Sequence, residues 1–378
     1  MAHASGRVLL LLSHVFADGG IQRFNRTLLA ASAMRDARID VMTLRDSPAD
    51  VPAPIRGLGS VMAFENKRLR FVARVARAIL GGRYRLIVVG HVNLLVVTAM
   101  LRAILPRRPR LWMIAHGVEV WRSLNTRRAA ALRSLDLCLS VSRYTRDSII
   151  AQVPGIDASR LPVFPNALAA TWQTDVATGG YREHALPERF LLSVARLDEP
   201  DRTKGIITTI EALAMTGDDS LHLVIAGYGN DLPFLRRVAA RAGVSGRVHF
   251  LGRVDDATLA ELYRKCLAFV LPSGQEGFGI VYLEAAFHGA PLVGARSKGV
   301  VDVIADRETG LLVDYGDRIG LAHVLEQLAR DHTFRDRLRH NARALVTCNG
   351  RFTFDAYRDR WRGLLRQADI MLSEPLGP

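Results

Sequence analysis

Cysteine is scarce in this 378-residue chain: the three residues, Cys138, Cys266 and Cys348, lie far apart and form no C-x-x-C pair. So few and so scattered, they suggest neither a disulfide framework nor a zinc site. A reducing cytoplasm is the expected setting. Long apolar runs are missing too. The first, Val8 to Leu12, stops after five residues at Ser13 and His14. That is too short for a membrane span or a signal-peptide core, and it reads as a first strand. The turn that follows, Asp18-Gly-Gly-Ile-Gln-Arg-Phe24, holds no G-x-G-x-x-G, which argues against a dinucleotide-dependent dehydrogenase. Low-complexity tracts and fixed-period repeats are likewise absent. Negative charge is short in one half only: residues 1–180 hold 25 of the 51 basic residues but 11 of the 37 acidic ones. The whole net charge of +14 sits there, and it points that half toward an anionic partner, whether phosphate-rich substrate, nucleic acid or anionic membrane surface.

What is present is the composition of a folded protein, 49% hydrophobic and 23% charged, long enough for two domains. Short β-rich runs alternate with amphipathic stretches: Arg7–Leu12, Ile39–Leu44, Leu86–Gly90, Leu111–Ala115 and Leu137–Val141 in the first half. The second half repeats the rhythm with Phe190–Ala195, Leu221–Ala226, Val248–Leu251, Ala268–Leu271 and Pro291–Val293. This βαβ alternation predicts an α/β chain with two doubly wound parallel sheets. Between them, Ala169 to Leu186 has little apolar periodicity and contains Ala177-Thr-Gly-Gly180, as an interdomain linker would. Ligands in such sheets sit beyond the carboxyl ends of the strands, so the chemistry is sought in the loops there.

In the first half, Gly19 and Gly20 open a helix whose bare N–H groups suit a phosphate, although any tight βα turn also wants glycine. His116-Gly117 ends a strand, placing an imidazole able to donate to a sugar hydroxyl or phosphate, and Pro165-Asn166 offers an amide at another strand end. In the second half Arg196 and Lys204-Gly205 flank one loop, where a guanidinium and an ammonium together can neutralise a diphosphate without a metal. Gly227 in Ala226-Gly-Tyr-Gly229, and Arg253 with Val254 after Gly252, form compact turns that a planar base could approach. The richest stretch is Leu271-Pro-Ser-Gly-Gln-Glu276-Gly-Phe-Gly-Ile-Val-Tyr-Leu-Glu284. Gly277, Phe278, Gly279 and Ile280 would present free N–H groups to sugar and phosphate oxygens, with Glu276 accepting from the sugar. Glu284, eight residues on, is expected to return to nearly the same helical face and accept from ribose hydroxyls.

These motifs, in this order and with Thr309-Gly-Leu-Leu-Val313 after them, resemble family four of the retaining glycosyltransferases, the GT-B fold of two facing Rossmann-like domains around a cleft. The resemblance covers nearly the whole chain. It implies an acceptor-binding domain over 1–172, a linker over 173–186, a nucleotide-sugar domain over 187–350, and a terminal helix over 351–378 crossing back to the first domain. It further implies that Arg196 and Lys204 hold the donor diphosphate, Glu276 contacts the sugar near its 3-hydroxyl, Glu284 holds the ribose, His116 lies near the 6-position and Gly20 backs the distal phosphate. Ala167 after Asn166, and Gly299-Val-Val-Asp302 in place of a Gly-Gly-x-x-Glu loop, depart from the family pattern. The expected reaction is metal-independent transfer of a hexose, of mannose or glucose/galactose type, from a GDP- or UDP-sugar. The expected acceptor is a membrane-associated, lipid-linked saccharide of bacterial exopolysaccharide or lipopolysaccharide assembly, met at the inner face of the plasma membrane. No nucleic acid partner is expected; a nucleotide-sugar epimerase and a non-catalytic nucleotide- or nucleic-acid-binding protein are the competing classes.

One helix carries the basic half's clearest pattern. On a helix over residues 66–80, Lys67, Arg70, Arg74 and Arg77 fall on one side and Leu69, Val72, Val75, Ala76, Ile79 and Leu80 opposite. The apolar side is expected in the core, and the arginines in water or on anionic lipid, with Arg107, Arg108 and Arg110 extending the surface.

Overall fold

The computed structural model describes residues 7–33, 38–52, 55, 57–173, 186–347 and 350–370. The chain divides into two compact units, one made of residues 1–169 and 354–378, the other of 170–353. Most of the expected linker over 173–186, together with Cys348, lies outside the described residues. The second unit starts at Ala170, slightly before the expected boundary, because the short helix α7 (Ala170–Gln173) belongs with it: Trp172 meets Tyr263 and His288 edge-on, at 6.5 and 5.4 Å between ring centres.

The first unit is a six-stranded parallel sheet of β1 (Arg7–Leu12), β2 (Ile39–Thr43), β3 (Val61–Ala63), β4 (Tyr84–Val89), β5 (Arg110–Ala115) and β6 (Leu137–Ser140), ordered β3-β2-β1-β4-β5-β6. Its helices are α1 (Gly20–Ser32), α2 (Arg68–Leu80), α3 (Val92–Ala103), α4 (Val118–Trp121), α5 (Thr126–Arg133) and α6 (Arg143–Gln152). Helices cover both faces of such a sheet, so its strands must be apolar throughout; Val8 to Leu12 are wholly buried. The second unit repeats the plan with β7 (Phe190–Val194), β8 (His222–Ala226), β9 (Val248–Gly252), β10 (Ala268–Leu271), β11 (Leu292–Ala295) and β12 (Leu311–Val313), ordered β12-β11-β10-β7-β8-β9. Helices α8 (Ile206–Met215), α9 (Leu232–Arg241), α10 (Asp256–Lys265), α11 (Ile280–Phe287), α12 (Arg318–Arg330) and α13 (His332–Ala344) complete it. Strand order reverses between β1 and β4 in one sheet and between β7 and β10 in the other, and at such switch points the loops part to leave a crevice.

The last helix, α14 (Phe354–Gln367), returns to the first unit. Tyr357, Trp361 and Leu365 recur every four residues and are fully buried, as one stripe of a helix must be to dock. Trp361 Nε1 donates to Ser32 Oγ at the end of α1, 2.9 Å away, and the Tyr357 ring packs between Phe24 and Phe164. Each such aromatic contributes roughly 2–3 kcal/mol by burial alone.

Helix α2 departs from its expected two-sided pattern. Phe71, Val75, Ala78 and Ile79 face the core, while Leu69 is 87% exposed and Val72 and Leu80 also reach solvent. At 100° per residue, Leu69, Val72, Ala76 and Leu80 form a second apolar sector, flanking the core-facing one on the side away from the arginines. Arg110, 46% exposed, pairs with Asp369 beyond α14 at 3.1 Å.

Candidate functional site

In the second unit, the loops that leave β7 and β10 meet at the switch point. After β7 the chain turns through a short 3-10 segment, Glu199–Lys204, and then through Gly205 at φ +80°. A β-carbon on Gly205 would stand 2.3 Å from the Pro272 carbonyl oxygen, so this close approach needs glycine. Gly274 N–H donates to the Thr203 carbonyl at 2.8 Å, tying the two loops together. That junction brings Lys204 Nζ to 2.7 Å from Glu276 Oε2, with the two side chains only 21% and 17% exposed. Arg196 is more open: its guanidinium, 63% exposed, pairs with Asp201 at 3.2 Å. Two cations and two carboxylates thus stand on the loops at this strand end, each cation held by an acid that an arriving anion could displace.

The glycine-rich turn after Glu276 differs from the expected geometry. Helix α11 begins only at Ile280, after Gly279 at φ +93°, so Glu276 lies in the preceding loop and helical periodicity does not carry Glu284 back to its face. Glu284 is instead buried within the unit, where Tyr263 Oη donates to its Oε2 at 3.4 Å. The Phe278 ring is buried against Phe352, 5.4 Å between centres, leaving only its backbone for a ligand. No side chain caps α11, so its first N–H groups remain available to an acceptor oxygen. Gly299 is pressed on this loop, donating to the Glu276 carbonyl at 3.1 Å with no room for a β-carbon above the Gly277 carbonyl. The Gly299–Asp302 segment therefore braces the backbone of Glu276.

Gly227 has a packing reason of its own. A β-carbon there would fall 1.8 Å from the Ala195 carbonyl oxygen. Arg253 lies over the exposed Tyr228 ring, 5.7 Å from its centre, at the ends of β9 and β8 with Val254 half-buried beside it. A cation on an aromatic face makes a platform of the kind a planar base can stack on.

The first unit gathers its loops after β1, β4 and β5. Gly19, at φ +139°, precedes α1 with no side-chain cap, and a β-carbon on Gly20 would meet open space. His116 is buried behind this turn, edge-on to Phe24 at 4.8 Å, and its backbone N–H donates to Glu119 Oε1 at 2.5 Å. Burial lowers its pKa to about 4 against a bond from the ring to the Gly90 carbonyl. Nε2 has no partner among the described residues, so that bond is made through Nδ1, which carries the proton. In that neutral tautomer Nε2 presents a lone pair toward a hydroxyl. Asn166 is also buried, with an unpartnered Oδ1. Two more such atoms escaped the sequence reading, Asn25 Oδ1 on α1 and Tyr357 Oη on α14. An asparagine on the apolar side of an amphipathic helix was the available signal for Asn25, whereas nothing local marks Tyr357. Buried polar atoms ordinarily find partners, and four without one around the His116 loops mark a place prepared for polar company.

Two doubly wound units, each with polar groups collected at its switch point, define the two-domain α/β architecture of GT-B proteins. A model described as Glycosyltransferase Family 4 matches residues 18–171, and one described as Glycosyl transferases group 1 matches 182–345. The lipopolysaccharide core biosynthesis glycosyltransferase LpsE of Rhizobium meliloti (strain 1021) is 38% identical over 166 residues, 43% of this chain and 46% of that protein. The phosphatidyl-myo-inositol mannosyltransferase of Mycobacterium leprae (strain TN) is 37% identical over 150 residues, 39% of each chain. These matches span less than half of either relative's length. Anabaena Alr3699/HepE, solved in complex with UDP, shares the fold at a TM-score of 0.77 and 21% identity, over 96% of this chain and all of that one. The chain belongs to the glycosyltransferases of the family 4 type.

Proposed function

We propose that the protein is a retaining hexosyltransferase that uses a GDP- or UDP-sugar and acts on a lipid-linked saccharide at the inner face of the plasma membrane, in bacterial surface polysaccharide assembly. The observation that carries the reading is the Lys204–Glu276 pair at the switch point of the second unit. In this reading the diphosphate takes over Lys204 and Arg196 while Glu276, released, accepts from the sugar hydroxyls. Glu284 exchanges its Tyr263 hydrogen bond for a ribose hydroxyl, the N–H groups from Gly277 to Ile280 meet sugar and phosphate oxygens, and the Arg253–Tyr228 platform takes the base. From the first unit, Gly20 supports the distal phosphate and His116 accepts from a sugar hydroxyl.

The bond from the anomeric carbon to the diphosphate breaks as the acceptor oxygen bonds to the same face, and the acceptor proton passes to the departing phosphate oxygen. Arg196 and Lys204 stabilise the charge that develops there, an effect worth about 3 kcal/mol each, without an assigned metal or cofactor. Lipopolysaccharide core and phosphatidylinositol relatives favour a membrane-bound acceptor. The basic first unit supports it as well: with α14 included it holds 29 basic and 14 acidic residues, against 22 and 23 in the second.

A panel of nucleotide sugars offered with bacterial lipid extract tests the whole reading. Sugar appearing in the lipid fraction, and its loss with Lys204→Met, is the expected result. Nucleotide sugar turned over without any acceptor would favour an epimerase, and no nucleotide binding at all would end the proposal.

A further inference from the structure

Between α2 and α3 the first unit holds a cavity of about 410 Å³. Its walls are apolar: Phe71, Val72 and Val75 from α2, and Leu94 and Val97 from α3. Its polar lining is cationic, Arg45, Arg68 and Arg128, with Asn93, and none of the described residues lining it is acidic. Arg128 spends one N–H on Asn93 Oδ1 at 2.7 Å; no ion pair engages Arg45 or Arg68 among the described residues.

Three features fix what such a cavity suits. Leu44 and Arg45 follow β2, and Asn93 and Leu94 open α3 behind β4, so the arginine end lies at the carboxyl edge of the sheet. His91, at the N-cap of α3, accepts from the Asn93 N–H through Nδ1 at 3.1 Å, and Asn93 Oδ1 in turn accepts from Arg128, which ties the arginine end to the loop after β4. Val97 on this wall shares one side of α3 with Met100 and Ile104, and the three are 38%, 67% and 70% exposed, while Leu69 at the start of α2 is 87% exposed. Exposed apolar side chains grouped on one side of a helix in this way mark a binding face.

We propose that this cleft binds an anionic amphiphile, with a phosphate or diphosphate group held by Arg45, Arg68 and Arg128 and the first carbons of a hydrocarbon chain lying between α2 and α3. Guanidinium forks match phosphate oxygens in pairs, and the apolar walls would take the chain out of water while the exposed stripe of α3 meets the bilayer from which it comes. The inference rests on the transferase reading for its role, since it makes the lipid end of the acceptor the part that the first unit recognises.

Titration calorimetry of the full chain with farnesyl phosphate, below its micelle concentration, tests it against farnesol and inorganic phosphate. Farnesyl phosphate should bind at least tenfold more tightly than either. Arg45→Ala with Arg68→Ala should weaken it at least tenfold, and Val72→Trp, at a half-exposed wall position that tolerates bulk, should do so without touching the arginines. UDP affinity, measured on the same proteins, should not change. Equal affinity for farnesol, affinity wholly accounted for by phosphate, or wild-type binding by the double variant would overturn the proposal. Failure of the wild-type chain to bind either UDP or GDP would instead overturn the transferase reading, leaving the amphiphile result to stand alone.

Discussion

Replacing either member of the Lys204–Glu276 pair should move nucleotide affinity in opposite directions. In Lys204→Met a short, charge-assisted bond is lost, and the carboxylate of Glu276, 17% exposed, is left without its partner. Hydrogen bonds to charged groups contribute about 1.5–3 kcal/mol, so UDP should bind roughly 10- to 100-fold more weakly. The folded state should also lose on the order of 1–3 kcal/mol, below the range of a fully buried pair because both side chains keep some contact with water. In Glu276→Gln the ammonium is no longer engaged by a full negative charge, so UDP should bind as well as before or a few-fold better. A complete nucleotide sugar should lose affinity in that variant, because the sugar hydroxyls lose their acceptor. Calorimetry with UDP and then with a UDP- or GDP-sugar, on both variants, separates these effects. Weakening of UDP by both substitutions to the same degree would refute the idea that the pair is a stand-in for the diphosphate contact.

Acid should destabilise the fold through His116. Its pKa is lowered to about 4 by burial, so between pH 6.5 and about pH 4 the unfolded chain binds a proton that the folded one refuses. Stability is full above that window and falls as pH drops through it, by roughly 3 kcal/mol in all. Urea unfolding across pH should show a shallower slope in His116→Gln. Glycine substitutions should divide by cause: Gly205→Ala, with its positive φ and a carbonyl 2.3 Å from the new carbon, should cost about 2–4 kcal/mol. Gly20→Ala, which meets open space, should leave stability within about 0.5 kcal/mol, so that any fall in donor binding reads the phosphate contact alone. Cys138 and Cys266 are buried, with thiols pushed up to about 12; peptide-resolved alkylation at pH 8 should find both protected until the protein unfolds.

The strands were legible because burial on both faces writes them as plain apolar runs: Arg7–Leu12 and Ala268–Leu271 are read to the residue, and the other eight runs to within one or two. The edge strands Val61–Ala63 and Leu311–Val313 were not read as strands, being three residues long with too little sequence to show a period. The site's loops were placed correctly at strand ends, yet its geometry was not. Glu276 and Glu284 looked like helical neighbours because nothing in the one-dimensional pattern shows that Gly279 delays the helix. Leu69 and Leu80 looked like core because a helical wheel separates apolar from basic, and α2 carries two apolar sectors with different fates. The Lys204–Glu276 contact spans 72 positions, a pairing that only the sheet order reveals.

Helix α14 makes the first unit discontinuous in sequence, and this governs the order in which the chain can assemble during synthesis. The Trp112, Phe164 and Phe24 rings that α14 covers emerge from the ribosome before the whole of residues 170–353. At about 5–20 residues per second they wait roughly ten to forty seconds for their cover. The second unit, contiguous from end to end, faces no such delay. A nascent chain of this design therefore completes its later-made half first, and the earlier-made half carries an open aromatic surface that a chaperone would be expected to shield until Trp361 arrives.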